Sequence, residues 1–401
     1  MVKKITLLLS IALIFVGCSS DADLRMKAIE IAHGTIITDG HIDIPWRLTN
    51  NMEDVSVRTE KGDFDYVRAK EGGLDAPFMS IYVPSSYQIT GGAKEKADEL
   101  IDLIRGLEKN APNKFTVVTS PKEAEKAIAA GRIALPMGME NGAPIEDDLS
   151  NVAYFHSRGI RYITLTHGTD NLISDSSYDT TGTWGGLSDF GGNVVAEMNR
   201  VGIMVDISHV SDNAFYDVMK ITKAPAIASH SSCRAFTPGF ERNMNDDMIE
   251  ILAENGGVIQ INFGSSFLTQ ESRDKRDANE AKVEAYAKLK GLIEEDEELQ
   301  QYMQKVKAEN PPYADVTDVA DHIDHVVNIA GIDHVAFGSD YDGVGDSLPY
   351  GLKDVSKFPN IIFHLLKRGY SEEDIEKICY KNIWRVWNKV EEIAQDLQSA
   401  G

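Results

Sequence analysis

Eight short apolar runs, each followed by a longer polar or amphipathic stretch, constrain this chain more than any other feature. They fall at residues 35–38, 78–83, 133–137, 162–165, 203–207, 225–228, 258–263 and 334–337. Most lack the polar–apolar alternation of a strand with one wet face, as strands covered on both faces should. Several intervening segments, among them 94–108, 121–130, 196–201, 212–222 and 246–255, carry apolar residues at helical spacing. Eight strands alternating with helices predict an α/β protein built as a (β/α)8 TIM-type barrel, not a doubly wound open sheet. With 42% hydrophobic residues in 401, the chain can bury one large core.

Two segments break the rhythm. Residues from about 270 to 314 are rich in Glu and Lys with a helical pattern, which reads first as a solvated helical hairpin inserted after strand seven, with a lid or partner surface at the pocket entrance as the alternative. At the N-terminus, Lys3 and Lys4 precede an apolar run over 5–16 that ends in Val16-Gly17-Cys18. The run is too short to span a membrane, which takes about 20 apolar residues. It resembles a bacterial lipoprotein signal, and that implies removal of 1–17, lipidation of Cys18 and a short tether over 18–25. The folded domain is then expected over 26–395, held at a membrane of the cell envelope by lipid. The net charge of −23 repels phosphate backbones and speaks against nucleic-acid binding. Beyond Cys18, only Cys233 and Cys379 remain, and both read as free and buried.

The chemistry lies where the runs end. Polar residues at the C-terminal ends of barrel strands face the active site. Strand one ends in Asp39-Gly40-His41-Ile42-Asp43, and residues two apart in an extended segment point the same way. Strand three ends in Glu140, four in His167, five in His209, six in His230 and eight in Asp340. Four of the ten histidines and three carboxylates thus gather at one end of the barrel. Imidazole and carboxylate without thiolate suit Zn²⁺ or a similar divalent ion. Seven such groups exceed one tetrahedral site, so two metals bridged by a carboxylate are expected, with Glu140 in the bridging place. A metal lowers the pKa of bound water towards ~7, so the expected reaction class is metal-assisted hydrolysis with Asp340 as base. Asp342 shares the side of Asp340 and is the alternative.

Several stretches are similar to the membrane (renal) dipeptidase family: "DGHIDIPW" (39–46), "GMEN" (138–141), "RYITLTH" (161–167), "VDISHVS" (205–211), "ASHSS" (228–232), "RNMNDDM" (242–248) and "FGSDYDGV" (337–344). "GLKDVSKFPNII" (351–362) also looks like the family, and the pieces keep family order across residues 26–390. The resemblance implies a dipeptidase with two Zn²⁺ per chain. His41 and Asp43 then hold the first, His209 and His230 the second, and Glu140 bridges them. It further implies that His167 stabilises the oxyanion, that Arg242 pairs with the substrate's C-terminal carboxylate and that Asp340 handles the proton of the bridging hydroxide. Arg242 could instead pair with Asp246 or Asp247. The implied substrates are dipeptides with an L- or D-residue at the C-terminal position, and relatives often form homodimers.

Other readings of the same residues are a binuclear amidohydrolase for N-acyl-D-amino acids or β-lactams, and a non-catalytic peptide-binding lipoprotein. Trp46 and Tyr82 are expected to line the pocket, and Asp170 and Asn171 to help shape it. His33, His156, His322, His325, His334 and His364 are expected to be structural.

Overall fold

The computed structural model describes residues 20–400. Its centre is a parallel eight-stranded sheet made of β1 (Ile37–Ile42), β2 (Leu74–Tyr82), β5 (Met137–Glu140), β6 (Ile160–Thr164), β7 (Met204–Asp206), β8 (Ile227–Ser231), β9 (Val258–Ile261) and β10 (Val335–Phe337), in that spatial order. Two short strands, β3 (Phe115–Val117) and β4 (Ile133–Leu135), pair separately beside it. The sheet closes into the expected (β/α)8 barrel at its C-terminal end. There Ile42 bridges Tyr341, the Asp340 N–H donates to the His41 carbonyl at 3.0 Å, and the Asp43 N–H donates to Tyr341 at 2.9 Å. One Asp39 carboxylate oxygen accepts from the N–H groups of both His41 and Ser339, each at 3.0 Å. A side chain thus completes the seam between the first and last strands.

The apolar run over 133–137 is not one strand. Pro136 has no N–H to give to a ladder, and the chain changes sheets there, from β4 to barrel strand β5. Strands β1 and β8 run further than their apolar cores, so His41 and His230 lie within strands. The helix expected over 196–201 starts at Asp189, where the Ser188 side chain caps the Gly191 N–H.

After β9, helices Gln270–Lys290 and Glu297–Glu309 form the expected hairpin. At the other end of the chain, the helix Asp21–Gly34 begins with a capping box on Ser20. The last part of the 18–25 stretch is therefore folded: Asp21 pairs with Lys367 at 3.0 Å, and Arg25 stacks over Phe363. The signal segment and Cys18 lie outside the described residues. Cys233 and Cys379 are free and buried. No helix among the described residues is long and apolar enough to cross a membrane.

The C-terminal helix Asn382–Ala400 closes the bottom of the barrel. Trp387 is fully buried against Phe78, with ring centroids 5.2 Å apart, and Phe78 in turn meets Tyr162 at 5.5 Å. Tyr162 fits because position 138 is glycine, where a Cβ would stand 1.9 Å from the Tyr162 ring. The Tyr162 hydroxyl then reaches the Nδ1 of His41 at 2.8 Å. An aromatic column thus runs from the bottom plug to the polar top.

Candidate metal centre

All seven groups predicted at the strand ends meet at the C-terminal mouth of the barrel. Glu140 is the hub. Its Oε2 lies 3.3 Å from His41 Nε2, while its Oε1 lies 3.0 Å from His209 Nε2 and 3.2 Å from His230 Nε2. One carboxylate thus divides its two oxygens between two groups of ligands. Asp43 completes the first group, 3.4 Å from His41 Nε2, and Asp340 lies beside that group, within reach of His41 and Asp43. His167 stands 3.7 Å from Glu140 Oε1 and stacks beside His209. It is the most open of the seven, with its side chain 24% exposed towards the cavity.

The backbone is forced into shape here. Of the five non-glycine residues with left-handed backbone among the described residues, His209 (φ 69°), Asp340 (64°), Asp342 (65°) and Asn141 (76°) belong to or border the site. Such conformations cost on the order of 1–3 kcal/mol each and persist where the surroundings impose them. Gly343 also serves the site, because a Cβ there would come within 2.2 Å of carboxylate oxygens of both Asp43 and Asp340.

The donor set fits a pair of divalent cations. His41 Nε2 and Asp43 Oδ1 are buried without a hydrogen-bond partner, an arrangement that costs free energy unless a cation sits there. The His209 and His230 Nε2 atoms face one another at 2.9 Å. Burial, with Arg242 and neighbouring imidazoles adding to it, holds both rings well below the usual histidine range, in the neutral form that ligates. His41 is the opposite case. Burial opposes its charge, but Tyr162, Glu140 and Asp43 raise it well above that range, so this pocket attracts a positive charge. Burial also works against the charged form of Glu140, but His41, His167, His209 and His230 hold its carboxyl well below the usual carboxylate range. Burial pushes Asp340 up to about 7, opposed by His41 and reinforced by Asp43 and Glu140, and Asn262 donates to its Oδ2 at 2.8 Å.

Arg242 is 2% exposed and forms no ion pair among the described residues, so it does not pair with Asp246 or Asp247. It donates to the Ser231 hydroxyl at 2.6 Å and the His230 carbonyl at 2.7 Å, and its Nε has no partner. A buried, uncompensated guanidinium beside the site suits an anionic group on a ligand. Asp342 is turned away from the proton chemistry. It joins Asp63 through reciprocal backbone contacts of 2.6 and 2.8 Å and lies 3.3 Å from Arg47.

The cavity above the centre has a volume of about 550 Å³, and Trp46 and Tyr82 line it as expected. So do Tyr178, Phe267 and Arg276, which the sequence did not single out. Arg276 belongs to the inserted hairpin, so that hairpin is more than a solvated appendage. Asp170 and Asn171 instead hold the loop after β6: Asn171 takes the Ile173 and Ser174 N–H groups, and Asp170 takes those of Ser176 and Thr183.

A (β/α)8 barrel carrying two clusters of imidazole and carboxylate that share one glutamate defines a barrel metallohydrolase. The family model of membrane dipeptidase (peptidase family M19) matches residues 25–401, and the chain belongs to that family, which makes it a metallo-dipeptidase. The probable dipeptidase PvdM from Pseudomonas aeruginosa is 26% identical, with 93% of this chain and all of that one covered and a TM-score of 0.80. A metallopeptidase from Rhodobacter sphaeroides, solved with a phosphinate mimic of the dipeptide L-Ala-D-Ala, is also 26% identical. It covers 89% of this chain and 99% of its own, with a TM-score of 0.72.

Proposed function

We propose that the chain cleaves dipeptides, with L- or D-residues at the C-terminal position, at a centre of two Zn²⁺ ions. His41 and Asp43 hold one, His209 and His230 the other, and Glu140 lies between them. The division of Glu140's oxygens between two imidazole groups is the observation that carries this reading. When bound, the ions acidify water and polarise the scissile carbonyl.

The remaining work belongs to side chains. Arg242 clamps the substrate carboxylate and sets the distance from that end to the scissile bond, which favours dipeptides over longer chains. His167, open to the cavity and ahead of Glu140, donates to the oxygen on which charge develops. One such donor is worth about 3–4 kcal/mol in other hydrolases. Asp340, held by Asn262, takes the proton of the attacking water and returns it to the leaving amine. Isosteric Asp340→Asn is expected to lower kcat by about 10²-fold or more while zinc still binds. The lipoprotein-like Lys3–Cys18 segment supports anchoring at a membrane of the cell envelope. Cys18→Ser is expected to release the protein into the soluble fraction.

The decisive experiment follows amino-acid release from a panel of L,L- and L,D-dipeptides, tripeptides and a β-lactam, with chelator and then with zinc restored. Zinc-rescued cleavage of dipeptides but not tripeptides supports the proposal. Folded, zinc-loaded protein that opens only the lactam or an N-acyl-D-amino acid overturns it.

A further inference from the structure

Three imidazoles at the centre are held from behind in three different ways. His41 Nδ1 meets the Tyr162 hydroxyl at 2.8 Å. His209 Nδ1 is buried with no partner, and its ring is placed by a left-handed backbone whose carbonyl accepts the Ser177 N–H at 2.8 Å. His230 Nδ1 lies 2.8 Å from the Ser229 hydroxyl, which lies 2.6 Å from Asp206 Oδ2. Asp206 is fully buried and takes no part in the chemistry assigned above.

Four donors converge on Asp206. Its Oδ1 accepts the N–H groups of Ser208 (3.0 Å) and Ser229 (2.9 Å), and its Oδ2 accepts the Thr164 (2.5 Å) and Ser229 hydroxyls. A carboxylate cannot donate, so the Ser229 proton points to Asp206. The free lone pairs of that hydroxyl then face His230, whose Nδ1 must carry the hydrogen. The Nε2 lone pair is left facing Glu140. Partners behind a ligating imidazole fix its tautomer and raise its basicity.

We infer that Asp206 is a positioning residue that acts through Ser229 on His230, and so sets the metal affinity of the His209/His230 position independently of the His41/Asp43 position, which Tyr162 supports. The inference rests on the two-metal reading above. Ser208 and Ser229 each lie one residue before a ligand in the chain, so the Asp206 carboxylate also aligns the ends of β7 and β8.

The test is stepwise zinc competition between full-length apo-protein and a chromogenic chelator, for wild type, Asp206→Asn, Ser229→Ala and Tyr162→Phe, with apo melting temperatures alongside. Ser229→Ala keeps the Ser229 N–H contact to Asp206 and removes only the relay, so it serves if Asp206→Asn does not fold. Ser229→Ala is expected to weaken one of the two zinc ions roughly 10- to 100-fold and leave the other within about twofold. Tyr162→Phe is expected to weaken the other ion, and the double variant both. Unchanged affinities in Ser229→Ala, or equal weakening of both ions, overturn the inference. Wild type that takes up fewer than two zinc ions overturns the two-metal reading and the inference with it.

Discussion

At the residue scale, the arginine and one histidine show how burial separates function from support. Arg242 is buried with no anionic partner, a condition that costs several kcal/mol unless a ligand supplies the charge. Arg242→Ala is therefore expected to cost about 2–5 kcal/mol in transition-state binding of dipeptides, roughly 30-fold or more in kcat/KM. Arg242→Lys should recover little, because a lysine cannot grip a carboxylate in two places. Substrates whose C-terminus is amidated should show no such difference between wild type and variant, and equal losses on both kinds of substrate would remove the clamp. His322 is the structural counterpart. Its Nδ1 accepts the Cys233 N–H at 3.0 Å and its Nε2 donates to the Leu268 carbonyl at 2.9 Å, tying the loops after β8 and β9. Burial pushes its pKa down to about 4, against the pull of the Leu268 carbonyl. The unfolded chain, titrating near ~6.5, binds more protons between these values, so stability rises with pH there. The contribution, at most about 3 kcal/mol, is complete above pH ~6.5 and fades as pH falls towards 4. Denaturant unfolding at pH 7.5 and 5 should show a smaller pH effect in His322→Gln than in wild type. An identical slope would assign the acid sensitivity to other groups.

At the element scale, the inserted hairpin contributes the rim of the pocket. Arg276 is partly exposed and already close to Asp277 (2.8 Å) and Glu280 (3.6 Å) on its own helix, so its field at the cavity is largely offset. Exposed pairs of this kind are worth about 0.2–1 kcal/mol. Arg276→Ala should accordingly raise KM by no more than about fivefold and leave kcat unchanged; a fall in kcat would place the hairpin in the chemistry. The hairpin also marks how far the sequence could be read. Its helices were visible in the periodicity, but nothing in a Glu/Lys-rich pattern says which side chain turns back over a cavity. Seven of the eight barrel strands were legible because parallel strands are apolar on both faces; the run over 133–137 ends where the remaining one, β5, begins. Their ends were not, since the ladder continues into polar residues such as His41 and His230 that apolar runs exclude. The candidate site was legible because the imidazoles and carboxylates that the structure brings together fall at equivalent strand ends. Asp206 and Tyr162, inside the same motifs, gave no signal apart from the histidines behind which they stand.

At the scale of the whole molecule, the bottom of the barrel and its chemical top form one packed column. Trp387, from the last helix, packs against Phe78, Phe78 packs against Tyr162, and Tyr162 holds His41. None of this was read from the sequence, because the partners lie some 300 residues apart along the chain for the first contact and 121 for the last. Truncating a fully buried Trp costs about 3–5 kcal/mol, so Trp387→Ala should lower stability by that order. Trp387→Phe should cost much less. It keeps most of the ring and removes an indole N–H that is buried without a partner, and an unsatisfied donor of that kind costs about 1–3 kcal/mol. Chemical unfolding of the metal-free protein separates the two variants. The same pair tests whether the column reaches the proposed metal position on His41. If Tyr162 is seated by what lies beneath it, Trp387→Ala should also weaken zinc binding at the position proposed on His41 and Asp43, while Trp387→Phe should not. If Trp387→Ala loses stability yet binds zinc as tightly as wild type, the plug serves folding alone, and the orientation of His41 is fixed locally by Tyr162 and the fit of its ring over Gly138.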